Sequence, residues 1–70
     1  MSEATYKARY WQNAIQHEEE CPTLDEAVVF LAYGVYDYGR LAPADVVGPD
    51  GTVVLEGDEL ERRMMAAYGD

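Results

Sequence analysis

The sequence predicts an α+β domain of two layers in the order ββαββα, antiparallel hairpins carrying two short helices on one face. Three observations lead there. The stretches "TYKARYWQ" and "IQHEEEC" alternate with a two-residue period on either side of Asn13 and Ala14. A Thr-x-x-Glu box opens a helical apolar stripe at about residues 24–33. A Gly-Pro-Asp-Gly turn then separates two valine-rich runs, and a second helical stripe closes the chain.

The first strand is expected over Thr5 to Gln12, with Tyr6, Ala8 and Tyr10 on one face and Lys7, Arg9 and Trp11 on the other. Asparagine tolerates a left-handed backbone, so Asn13 and Ala14 form the turn. The return strand is Ile15 to Cys21. That two-residue turn sets the register: Trp11 opposite Gln16, Arg9 opposite Glu18, Lys7 opposite Glu20. It also sets Tyr10 against His17, Ala8 against Glu19 and Tyr6 against Cys21. Glu18 and Glu20 are thereby expected to pair with Arg9 and Lys7 as a charge ladder, each pair worth about 0.2–1 kcal/mol.

Pro22 ends the hairpin. Thr23 and Glu26 cap a helix from about Leu24 to Tyr33, whose apolar face is Leu24, Ala27, Val28 and Leu31, widened by Phe30. Gly34 is expected to close it in the left-handed conformation, and "VYDYGRLAP" to be a connector. Val46 and Val47 then lead into a turn centred on Pro49 and Asp50, and Thr52 to Glu56 returns. Asp58, with Glu61 in the reciprocal position, is expected to cap the last helix; its stripe is Leu60, Met64, Ala67 and Tyr68.

Seventy residues are read as one small domain spanning 1–70. So small a core is marginal alone, and one cysteine allows no internal disulfide, so a homodimer is expected. Fourteen acidic against five basic residues give a net charge of -9, which disfavours direct nucleic-acid or membrane binding. The first residues lack the basic and apolar pattern of a signal peptide, and the lone cysteine suits a reducing compartment; a cytoplasmic protein is expected.

The chemistry-bearing stretch is "HEEEC", residues 17–21. His17, Glu19 and Cys21 share a strand face and are each competent zinc ligands, but no second histidine or cysteine completes a structural site. His17 and Cys21 stand about 13 Å apart along an extended strand, too far for direct thiolate activation. Glycines in "GPDG" lack the lysine and spacing of a phosphate loop. No metal, cofactor or catalytic residue is therefore expected, and the chain is read as non-catalytic. A metal or enzymatic centre at His17, Glu19 and Cys21 is the third-ranked reading.

Two features suit recognition of another protein. Trp11 lies with Lys7 and Arg9 on the outward face of the first strand, and tryptophan and arginine are enriched at contact hot spots. Tyr33, Tyr36 and Tyr38 cluster around Gly34 and Gly39. These six residues are the candidate partner-binding set. The ranked alternative is an acidic decoy, whose carboxylates imitate nucleic-acid phosphates and block a basic DNA- or RNA-binding protein.

Overall fold

The computed structural model describes residues 5–39 and 41–69, the side chain of Tyr38 excepted. Its order is β1 (Tyr6–Gln12), β2 (Ile15–Cys21), α1 (Leu24–Tyr33), a π-helical turn (Gly34–Tyr38), β3 (Ala42–Val47), β4 (Val53–Glu56) and α2 (Gly57–Gly69). The four strands form one antiparallel sheet in the order β2-β1-β3-β4. The fold is thus the α+β, ββαββα arrangement that periodicity and turn chemistry imply.

Asn13 and Ala14 take φ of 54° and 66°, the left-handed pair that a two-residue hairpin turn demands. The β1–β2 register follows pair for pair, from Tyr6 opposite Cys21 to Gln12 opposite Ile15. In the second hairpin Gly51 N–H donates to the Gly48 carbonyl at 3.0 Å, closing the turn over Pro49 and Asp50. The two hairpins join along β1 and β3, where Ala8 faces Val46. A bulge between Arg9 and Tyr10 interrupts this seam.

Both helices lie over the sheet face that carries Ala8. Tyr6 and Tyr10 pack against a core of Ala8, Cys21, Ala27, Val28, Leu31, Ala32, Val46, Leu55, Leu60 and Met64. Ala8, Ala27, Leu31, Ala32 and Val46 are wholly excluded from solvent. Three alanines in that set let α1 approach the sheet centre closely, where bulkier residues would hold it off. Thr23 Oγ1 accepts from the Glu26 N–H at 3.2 Å, so the expected N-cap of α1 is formed.

Two expectations fail between Tyr33 and Ala42. Gly34 is right-handed (φ -62°, ψ -37°), and the chain runs on through the π-helical turn instead of a loose connector. Gly39 takes the left-handed position instead, at φ 63°. Gly34 is needed for space: a Cβ there would collide with the Leu41 side chain, meeting its Cγ at 3.0 Å. At the other end of the chain, α2 begins at Gly57 directly after β4, which puts Asp58 within its first turn. Its stripe buries Leu60 and Met64 and half-buries Ala67, while Tyr68 stays exposed.

The Gly34 environment makes a prediction opposite to helix propensity. Alanine at a right-handed helical position ordinarily stabilises relative to glycine by about 0.5–1 kcal/mol. Here Gly34→Ala should destabilise by about 1–3 kcal/mol through overpacking. Urea unfolding checks it, and adding Leu41→Ala should recover part of the loss.

Candidate functional site

No element among the described residues covers the sheet face opposite the helices. Strand pairing sets Lys7, Arg9 and Trp11 of β1 on it, flanked by Gln16, Glu18 and Glu20 of β2 and by Ala42, Asp45 and Val47 of β3. Trp11 is 46 % exposed at the end of β1, opposite Gln16 on one side and Ala42 on the other. Neither helix covers it.

The charges on this face are arranged differently from the expected ladder. Arg9 donates from Nε and Nη2 to the two carboxylate oxygens of Asp45, at 2.6 and 2.7 Å. Lys7 meets Glu18 diagonally, at 3.9 Å, and Glu20 has no ion pair among the described residues. The physical reason is geometric. Asp45 sits directly across from Arg9 in β3, is largely sheltered, and accepts both prongs of the guanidinium fork. Glu18 is exposed on the edge strand and offers Arg9 only a more distant attraction. Hydrogen bonding to Asp45 raises the guanidinium pKa above its ordinary value, against the opposing effect of burial, and the Asp45 charge adds to it.

The expected partner-binding residues separate into two places. Lys7, Arg9 and Trp11 share the uncovered sheet face, with Arg9 committed to Asp45. Tyr33 and Tyr36 lie in the helical layer, where both pack on Tyr68 of α2 with ring centroids 5.3 and 5.2 Å away. Tyr38 belongs to the π-helical turn, and its side chain lies outside the described residues. Tyr68 O–H donates to Asp37 at 3.1 Å, which raises the phenol's pKa and ties the end of α2 to that turn. Sequence reasoning assigned Tyr68 to the apolar stripe of α2 and missed this role. Its four-residue spacing from Met64, at the chain end, was the available signal.

The "HEEEC" residues also take separate environments. His17 stacks on Tyr10, 5.4 Å between centroids and 19° between planes, and Tyr10 in turn meets Phe30 of α1 at 5.5 Å. Glu19 reaches water because β2 is the sheet rim, with no bulge in its ladder to β1. Cys21 is buried, and its thiol donates to the Glu19 carbonyl at 3.7 Å. Among the described residues, no three His, Cys, Asp or Glu side chains converge as a metal-holding group.

A shallow depression of about 440 Å³ opens between the π-helical turn, β3 and the first turns of α2. Val35, Pro43, Leu60 and Met64 contribute apolar walls, with Asp58 and Glu61 beside them. None of its lining residues is a nucleophile paired with a base. No helix among the described residues is long and apolar enough to cross a membrane.

Burial raises the Cys21 thiol above its ordinary value of 9.0, and the charges of Glu19 and Glu26 push the same way. As pH rises, the unfolded chain therefore loses this proton first. The thiol's contribution to stability is intact below pH 9.0 and declines as pH climbs through the folded value. At neutral pH the native chain should react with iodoacetamide slower than the urea-unfolded chain by roughly two orders of magnitude or more. Mass spectrometry of timed reactions measures this ratio.

Compared with known proteins, the chain matches no family model, no curated protein and no solved structure.

Proposed function

We infer that this chain is a small, non-catalytic interaction module that binds another protein through its uncovered sheet face, with Trp11 as the anchor. The observation that carries the reading is the half-exposed Trp11 on a face that neither helix covers. Exposed tryptophans of this kind concentrate binding energy, because a large rigid ring is desolvated at little entropic cost. Arg9, held by Asp45, and Lys7, beside Glu18, give the surroundings a fixed charge pattern. The net charge of -9 favours a protein partner over a nucleic acid or a membrane surface. The single free cysteine supports a cytoplasmic setting, and a homodimer through the same face is part of the reading.

A second reading, the acidic decoy of a basic DNA- or RNA-binding protein, draws on exposed Glu18, Glu19 and Glu20. It requires binding that falls steeply with salt and that competes with nucleic acid. The anchor reading requires neither.

Replacing Trp11 by alanine should remove about 2 kcal/mol or more of partner binding, roughly a thirtyfold loss. Folding stability should change much less, since the ring is half in water. The measurement is capture from extracts of the native cell with both forms, then titration of the retained partner. Equal affinity for the Trp11→Ala chain counts against the anchor. Light scattering of the pure chain should give twice 7.8 kDa, and a strict monomer removes the homodimer.

A further inference from the structure

Strands β2 and β4 are the two edges of the sheet, and they are protected in different ways. Strand β4 has four residues, pairs with β3 through a bulge and passes directly into α2. Shortness and bulging stop a further strand from adding there. Strand β2 has seven residues, each paired to β1 without a break. It carries no proline and no bulge, so its outer edge is a straight row of backbone groups with no strand paired to them among the described residues.

The hairpin turn tells which groups those are. In a two-residue turn of this left-handed kind, the flanking pair Gln12 and Ile15 exchanges both hydrogen bonds with its partner. Alternation from that pair directs the N–H and C=O of Gln16, Glu18 and Glu20 away from β1. The side chains of these same three residues project onto the uncovered face. Glu18 and Glu20 are both exposed, Lys7 meets Glu18 alone, and Arg9 is held by Asp45. The free edge and an excess of acidic charge, with Glu20 unpaired among the described residues and Glu18 met only by the single cation Lys7, thus coincide at alternate residues.

We propose that β2 receives an extended segment of a partner protein as a fifth strand, and that the segment carries Lys or Arg at alternate positions. Its backbone bonds to Gln16, Glu18 and Glu20. In an antiparallel pair, directly opposite residues share a face, so basic residues two apart stand against Glu18 and Glu20. A second copy of this chain is rejected by the same charges, because two β2 edges would set glutamate against glutamate. The docking mode requires nothing of Trp11 and goes beyond the anchor reading.

The test uses the isotope-labelled full chain and a short capped peptide of alternating lysine and threonine, with an alternating glutamate–threonine peptide as the comparison. At low salt the lysine peptide should bind and slow hydrogen exchange at the Gln16, Glu18 and Glu20 amides; the glutamate peptide should do neither. Glu18→Lys should weaken binding by about tenfold or more, since a like charge then stands opposite the peptide. Glu19→Lys makes the same change in net charge on the other face and should weaken it by less than about threefold. Glu20→Lys gives a second variant if Glu18→Lys disturbs the hairpin. Absence of binding, absence of protection at the three amides, or equal losses from Glu18→Lys and Glu19→Lys would each overturn it.

Discussion

The seam between β1 and β3 is the constraint on which the rest of the structure depends. An isolated hairpin is marginal in water, and each half of this chain supplies only one. Joining them gives four strands and one face broad enough to hold two helices. The Arg9–Asp45 pair crosses that seam between residues 36 apart in sequence, with both prongs of the guanidinium engaged. Such a fork fixes register as well as adding energy, because a slip of one residue would turn Asp45 to the other face. On that other face, the same register sets Ala8 opposite Val46, both without solvent exposure, beneath α1.

The seam also determines what can be left open. Ala8, Ala27 and Ala32 allow α1 to settle closely on one side of the sheet, and Leu60 and Met64 bring α2 onto the same layer. Leu41 fills the space over Gly34, and Tyr68 locks the end of α2 to the π-helical turn through Tyr33, Tyr36 and Asp37. Every buried residue of the main core therefore serves the helical side. The opposite side keeps its strands together by backbone bonding and by the Arg9–Asp45 pair. A half-exposed tryptophan is tolerated there without any loss to the core.

What was legible in the sequence was what neighbouring residues decide. Alternation in β1 and β2, the asparagine turn and the Thr23 cap each involve groups within a few positions, and the hairpin register followed from them. What was not legible was competition at a distance. Arg9 has acidic candidates in both neighbouring strands, and sequence proximity favoured Glu18, whereas shelter and a direct facing position favour Asp45. Gly34 shows a second limit. A glycine after a helix can serve a left-handed turn or a close approach, and only Leu41, packed from beyond the π-helical turn, decides for approach. For the site, the faces of Lys7, Arg9 and Trp11 were readable from period two. Exposure of Trp11 was not, because it depends on where α2 lands.

The distribution of charge gives the two ways of associating opposite responses to salt. Fourteen acidic residues stand against five basic ones, and Arg9 is already neutralised within the sheet. Two copies meeting through their uncovered faces bring like charge together, so screening over about 8 Å at physiological ionic strength helps them associate. A basic segment on β2 gains from the same carboxylates, and screening weakens it. Contact through Trp11 rests mainly on apolar area, which added salt leaves nearly unchanged. The glutamates of β2 therefore act as a selective guard: they keep the longest free edge of the sheet from its own kind and leave it open to a partner of opposite charge.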